Sequence, residues 1–254
     1  MSTTFSLGAG GAGVERVEAP AKLTVTLRVT GVRDDGYHLI DAEMVTLDLA
    51  DMLTIDPSGS GLRGVGPFSA GMPLDDSNLV AKALRLTGRT ASIEIDKQIP
   101  HGGGLGGGSA DAAAVLRWAS FDDLEAAARL GADVPFCLVG GRANVRGIGE
   151  LIEPLPPAAR DFTLIIPPLS CSTPAVYRAW DELGGPAASG PNDLEPAALV
   201  VEPRLAAWRD RIAEAAGATP TLAGSGATWF LDGHHHALAD ALTDATIVLT
   251  RTRR

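Results

Sequence analysis

The sequence predicts an α+β fold in two parts, and three observations carry that reading. Long stretches of the first hundred residues alternate apolar and polar side chains, as half-buried strands do. A glycine-saturated segment then opens straight into an alanine-rich helix. Beyond Pro154, Pro156 and Pro157, short strands and helices interleave as an α/β sandwich. A length of 254 residues with 45% hydrophobic side chains suits one large or two small domains. The net charge of −10 disfavours a sequence-independent nucleic-acid binder. No apolar run reaches the length that crosses a bilayer, so no membrane partner is expected. Cys137 and Cys171 read as reduced thiols, and residues 1–13 lack a signal-peptide pattern, so a cytoplasmic protein is expected.

Residues 1–16 read as a flexible leader. From Val17 to Thr30, Leu23, Val25, Leu27 and Val29 alternate with Lys22, Thr24, Thr26 and Arg28, which predicts a half-buried strand. Lys22 and Thr24 then share its polar face. Pattern alone leaves Lys22 either solubilising or catalytic. Gly31 to Gly36 is turn chemistry, and Tyr37-His38 at the next strand's mouth is core filler or a ligand platform. Leu39–Leu49 and Met52–Ile55 read as further strands, and 58–73 as a loop. Leu79–Thr87 is a helix with Ser77 or Asn78 as its N-cap. Thr90–Asp96 is a strand that leads through Lys97-Gln98-Ile99-Pro100 into the glycine segment.

That segment is His101-Gly102-Gly103-Gly104-Leu105-Gly106-Gly107-Gly108-Ser109-Ala110-Asp111. Glycine admits φ > 0 and lets backbone approach a ligand closely. A glycine loop feeding a helix start gathers free N–H groups and the positive dipole end around an anion, which points to a nucleotide phosphate. Ser109 either caps the helix or offers a hydroxyl to a metal-bound phosphate. The P-loop pattern fails because Gly108 stands where its lysine belongs. The dinucleotide fingerprint is matched only formally, and Pro100 breaks the strand-to-loop passage it needs.

Phe121–Leu130 reads as a helix stopped by Gly131. Asp133 follows among apolar residues and beside Pro135; it is a helix cap or a catalytic carboxylate paired with a lysine. A hairpin over 140–152 precedes the proline cluster. After it come a strand (Phe162–Ile166), a helix opened by Pro174 (Ala175–Glu182) and a helix broken near Pro203 (Ala197–Ala216). Two strands, Thr219–Leu222 and Ala227–Leu231, flank Gly224-Ser225-Gly226. A short helix (Ala237–Leu242) and a last strand (Thr246–Thr250) complete the half. His234-His235-His236 reads as an exposed loop, since adjacent histidines point apart and ligate one ion poorly.

Three blocks together resemble a known family. They are Ala19-Pro20-Ala21-Lys22-Leu23 with Asp35-Gly36-Tyr37-His38, then Ile99-Pro100-His101 through Asp111-Ala112-Ala113, then Leu130-Gly131-Ala132-Asp133-Val134-Pro135-Phe136 with Gly140-Gly141. Ser172-Thr173-Pro174, Asn192-Asp193-Leu194-Glu195 and Gly224-Ser225-Gly226-Ala227-Thr228 follow in order. The set resembles the GHMP kinase superfamily, and within it the 4-diphosphocytidyl-2-C-methyl-D-erythritol kinases of non-mevalonate isoprenoid synthesis, from about residue 17 to 250. The resemblance implies a two-domain GHMP kinase fold: a ribosomal-protein-like, ATP-binding N-terminal domain over 1–155 and a ferredoxin-like C-terminal domain over 156–254, with the active site between them.

It also implies roles. Lys22 and Asp133 match the catalytic pair, with Asp133 accepting the hydroxyl proton. Tyr37 and His38 match the cytidine-binding pair, and Tyr177 matches an aromatic on the base's other face. Asn78 and Lys97 match positions near the nucleotide pocket. The segment from Pro100 through Ala110 is expected to hold ATP, and Ser109 to take Mg²⁺. Gly224 and Ser225 match the turn that closes the phosphate site. Thr24 stands where the family usually has asparagine, so a substrate contact is expected to differ there. The implied partner is a small cytidine-diphosphate sugar alcohol, with the choice between monomer and weak homodimer open. Two rivals remain: a GHMP kinase for another small alcohol, such as mevalonate or homoserine, and a nucleotide-binding module without catalysis.

Overall fold

The computed structural model describes residues 13–100 and 102–253. Its first feature is a long antiparallel pair, β1 (Glu15–Val32) and β2 (His38–Asp56), joined by a short turn. Register shifts between Pro20 and Lys22, Thr24 and Thr26, and Val29 and Gly31 bend and twist the ribbon. Strand β1 starts earlier than the sequence suggests, because Glu15 and Arg16 pair with Ile55 and Thr54. The expected leader therefore ends before Glu15, and its residues 1–12 lie outside the described residues. Strand β2 is continuous where a break was expected; Ala50 and Asp51 stay paired with Pro20 and Ala19.

The half-buried reading of β1 also needs correction. Residues 21–25 are buried on both faces. The apolar face packs into the core, and the polar face is covered by the glycine loop, where the Lys22 amide donates to the Leu105 carbonyl at 3.0 Å.

Strand β3 (Gly61–Val65) lies inside the expected loop and runs parallel to β4 (Ser92–Asp96) at the sheet edge. Between them α1 (Leu79–Thr87) begins at Asn78, whose Oδ1 accepts from the Val80 amide at 2.9 Å. After the glycine loop come α2 (Gly107–Trp118), α3 (Leu124–Ala128), α4 (Val134–Val139), β5 (Arg142–Gly147) and β6 (Leu151–Pro154). The sheet runs β3-β4-β2-β5-β6, with β1 also on β2. The small side chains of Ala110, Ala112, Ala113 and Ala114 pack α2 into one core cluster with Leu53, Ile55, Ile93 and Ile95 of the sheet.

The second half holds β7 (Asp161–Ile166), α5 (Thr173–Glu182), α6 (Glu195–Val201), α7 (Arg204–Ala216), β8 (Thr221–Leu222), β9 (Trp229–Asp232), α8 (Leu238–Ala241) and β10 (Thr246–Arg251). Its sheet order β10-β7-β9-β8, all antiparallel, is the ferredoxin-like arrangement. The two sheets share apolar cores. Leu27, Met44 and Phe136 pack in one cluster with Trp180, Leu194 and Trp229, and Leu23, Val45 and Leu105 in another with Phe162 and Phe230. This shared packing positions residues of both halves around one cleft. Among the described residues no helix is long and apolar enough to cross a membrane.

Candidate active site

The glycine loop encloses a small cavity of about 240 Å³, lined by Pro100, Leu79 and the run from Gly102 to Ser109. Helix α2 begins at Gly107, inside the glycine run and two residues ahead of the expected start. The amides of Gly107, Gly108 and Ser109 are thus the first three of the helix and have no intrahelical acceptor. Ala110 is different: its amide donates to the Gly106 carbonyl at 2.8 Å and its side chain is buried, so it has no donor left for a phosphate. Two glycines are structurally forced. Gly106 caps α2 with φ +69°, and an added Cβ would lie 2.8 Å from Cγ of Lys22. At Gly104, φ +75°, an added Cβ would run into the Ala223 carbonyl oxygen of the facing turn.

A second cavity of about 560 Å³ meets the first at Gly104 and Ser109. Lys22 and Asp133 stand at that junction. Lys22 Nζ lies 3.1 Å from Asp133 Oδ2 and donates to Thr24 Oγ1 at 3.0 Å. The lysine is 4% exposed, so it is part of the cleft floor rather than a solubilising side chain. Asp133 occupies the N-cap position of α4, yet its side chain makes no capping hydrogen bond. Its carboxylate, 31% exposed, faces the cavity and Lys22 instead. The sequence disguised α4 because Pro135 reads as a breaker; in the first turn its missing N–H costs nothing. Thr24 lines the same cavity with its hydroxyl already engaged by Lys22.

At the far end of this cavity Tyr37, His38 and Tyr177 converge from β2, its preceding turn and α5. Tyr37 is 61% exposed, with the Arg33 guanidinium 6.0 Å from its ring centroid. Tyr177 packs against His38, ring centroids 4.6 Å apart and tilted by 33°, and burial pushes its phenol above the usual range. Sequence reasoning missed Thr173, Arg178 and Asp181, which line the cavity from α5. The available signal was helical spacing: 177, 178 and 181 share a face.

The Gly224–Gly226 turn closes the cleft opposite the glycine loop. Asn192 Nδ2 donates to the carbonyls of Leu222 and Gly224 at 2.8 and 2.7 Å, and Ser225 Oγ lies 2.8 Å from Thr173 Oγ1. Gly224 and Ser225 line the cavity beside Lys22.

The side chains of two residues expected near the nucleotide pocket make structural contacts. Asn78 spends its amide on structure, with Oδ1 on the Val80 amide and Nδ2 donating to the Pro73 carbonyl at 2.6 Å. The Lys97 side chain does not reach either cavity. It is buried between Asp51 and Asp111, with Nζ 2.7 Å from Asp111 Oδ2. Asp51 Oδ1 in turn accepts from the amides of Gln98 and Ile99 at 2.6 and 2.8 Å. A cation between two carboxylates ties β2, the approach to the glycine loop and α2 together from behind. Burial opposes the Lys97 charge, but Asp111 and Asp51 outweigh it and hold the ammonium above its ordinary value. Burial pushes the Asp111 carboxyl up to about 7 against the pull of Lys97. Asp111 Oδ1 is buried with no partner among the described residues.

The histidine run is accounted for by backbone contacts. His234 Nε2 meets the Thr250 carbonyl and His235 Nε2 that of Asp232, at 3.2 and 3.0 Å. Cys137 and Cys171 are free thiols, and burial pushes the Cys137 thiol up to about 12.

The description "GHMP kinases N terminal domain" matches residues 78–141. A 4-diphosphocytidyl-2-C-methyl-D-erythritol kinase from Paracoccus denitrificans (strain Pd 1222) is 41% identical over 238 residues, covering 85% of each chain. A crystal structure of 4-(cytidine 5'-diphospho)-2C-methyl-D-erythritol kinase superposes with TM-score 0.73 at 33% identity, over 94% of this chain and 100% of that one. A homoserine kinase from Cytophaga hutchinsonii ATCC 33406 shares the fold, with TM-score 0.62 at 18% identity, over 99% and 97% of the two chains.

Proposed function

The chain belongs to the 4-diphosphocytidyl-2-C-methyl-D-erythritol kinase family of GHMP kinases, and from that premise we propose that it transfers the γ-phosphoryl group of ATP to the 2-hydroxyl of 4-diphosphocytidyl-2-C-methyl-D-erythritol. The observation that carries the proposal is the Lys22–Asp133 contact of 3.1 Å at the junction of a glycine-loop cavity and a larger one that ends in aromatic rings. The two halves, divided near 155, each contribute one wall.

The loop cavity takes the ATP phosphates. The free amides at the start of α2 and the helix dipole supply positive potential without a P-loop lysine. A further cavity of about 550 Å³ shares Pro100 with it, and Pro67, Phe68 and Ala70 of that cavity offer an apolar wall for the nucleoside. Mg²⁺ neutralises phosphate charge when bound, and the Ser109 hydroxyl, at the meeting point of the two cavities, fits such an oxygen-seeking ion that travels mainly on phosphates.

Phosphoryl transfer depends on positioning and charge more than on covalent help. The acceptor hydroxyl is placed beside Asp133. Its oxygen forms the new bond to the γ-phosphorus, the bond from that phosphorus to the β–γ bridging oxygen breaks, and ADP leaves. The hydroxyl proton passes to Asp133. Lys22 faces the oxygen as negative charge develops on it, and Thr24 and Gly106 keep the ammonium in place. At the other end Tyr37 and Tyr177 take the faces of the cytosine ring, and Arg178, which lines the cavity, faces the diphosphate between the two ends.

The test is turnover by the purified protein with ATP and the cytidylyl alcohol, alongside homoserine and mevalonate as acceptors. A 2-phosphorylated cytidylyl product with little turnover of the others is expected. ATP binding with no transfer to the cytidylyl alcohol overturns the proposal.

A further inference from the structure

Among the described residues that line the cavity, His38 is the histidine held from several sides by a single helix. Tyr177 lies under its ring, Trp180 presents an edge at 5.6 Å and 82°, and Asp181 Oδ1 lies 2.8 Å from Nε2. All three belong to α5, with Tyr177 about one turn before Trp180 and Asp181, whereas His38 opens β2 of the other sheet. The His38 side chain is 11% exposed and that of Asp181 46%. Both residues line the cavity.

The chemistry of this contact has one direction. A carboxylate oxygen only accepts, so the hydrogen of the neutral imidazole sits on Nε2. The remaining ring nitrogen, Nδ1, then carries a lone pair and acts as an acceptor. Nothing in the sequence motifs assigns a role to Asp181. We infer that Asp181 is a positioning residue that fixes the His38 tautomer and thereby makes the site select an aminopyrimidine over an oxopyrimidine base. Cytosine presents an exocyclic amino donor where uracil presents a carbonyl acceptor. A lone pair at Nδ1 suits the first and opposes the second. The inference rests on the reading of this end of the cavity as a base site.

The alternative role for Asp181 is a surface ion pair that merely steadies α5. The two roles separate in the response to asparagine. Asp181→Asn keeps size and shape, but its amide can donate to Nε2 as well as accept from it, so the hydrogen is no longer confined to Nε2 and Nδ1 becomes a donor in part of the population. Asp181→Ala only releases the ring, and Asp181→Glu keeps an acceptor. Each variant is assayed for kcat and KM with the cytidylyl alcohol, with its uridylyl analogue and with ATP, and CDP and UDP binding is measured by calorimetry. Two-bond ¹H–¹⁵N spectra of the imidazole read the tautomer directly, without any ligand.

The wild type is expected to show His38 with its hydrogen on Nε2 and to favour the cytidylyl over the uridylyl ligand. In Asp181→Asn the share of His38 with its hydrogen on Nδ1 rises and the preference falls about threefold or more, through KM for the cytidylyl substrate, with KM for ATP unchanged. Asp181→Ala loses less and Asp181→Glu recovers most of the preference. A wild-type His38 with its hydrogen on Nδ1, or an unchanged base preference in Asp181→Asn, overturns the inference and leaves the kinase reading standing. A wild type that turns over no cytidylyl alcohol but binds CDP in preference to UDP overturns the kinase reading alone. A wild type that binds neither diphosphate overturns both.

Discussion

Lys22 Nζ and Asp133 Oδ2 lie 3.1 Å apart at the meeting point of two cavities, although one residue rides the first strand and the other introduces a short mid-chain helix. The contact depends on the glycine loop that runs over the lysine stem. A methyl group at Gly106 would come within 2.8 Å of Cγ and 3.1 Å of Cε of Lys22, at a φ of +69°. Gly106→Ala is therefore expected to lower kcat about tenfold or more, because a misplaced charge loses its effect over short distances. Steady-state kinetics against both substrates checks this; an unchanged kcat would separate the loop from the lysine.

Gly104 joins the two glycine turns across the cleft. Its added Cβ would strike the Ala223 carbonyl and approach that of Gly226 to 3.2 Å, both backbone atoms with little freedom to yield. Gly104→Ala is expected to cost about 1–3 kcal/mol from the strained backbone alone and to raise KM for ATP as the turns part. Urea denaturation and ATP titration of the variant measure the two effects.

The buried group of Asp51, Lys97 and Asp111 gives stability a pH dependence. Asp111 keeps its proton up to about 7 in the folded protein, against an ordinary value of 3.8. Between those values the folded state binds the extra proton and the unfolded state does not, so this contribution to stability falls as pH rises across that window. Asp111→Asn removes the titration and keeps an acceptor for Lys97. The stability of the wild type relative to Asp111→Asn is expected to decline from about pH 4 to about pH 7 and then level off. Parallel stability curves for the two proteins contradict this.

The aromatic end is expected to act on one substrate only. Aromatic–base stacking contributes about 1–3 kcal/mol per base, so Tyr37→Ala should raise KM for the cytidylyl substrate about 5- to 150-fold while leaving KM for ATP unchanged. Tyr37 is largely exposed, so thermal stability should hold. An equal rise in both KM values points to misfolding instead.

Much of the frame was legible in residue pattern. Ser77 or Asn78 marked the start of α1, Pro174 that of α5, alternation gave β4, and β7 and β10 lie where strands were expected. Strand β3 escaped because Gly61 and Gly64 mask its pattern and its partner is a parallel neighbour rather than a hairpin mate. The polar face of β1 looked solvated because alternation marks which side chains share a face but not what covers them; here the cover is the glycine loop. The same limit hides where the Lys97 side chain goes. A basic residue just before a phosphate loop resembles a ligand, and only the fold shows Asp51 and Asp111 enclosing it. Asp181 offered only its helical spacing from Tyr177, since its partner His38 comes from the other half of the chain.

The most direct test of the central claim is the rate of phosphoryl transfer in Asp133→Asn at saturating ATP and cytidylyl alcohol. If Asp133 receives the hydroxyl proton, kcat falls at least about 10²-fold while KM for both substrates stays close to wild type. Turnover near the wild-type rate removes Asp133 from the reaction and contradicts the account.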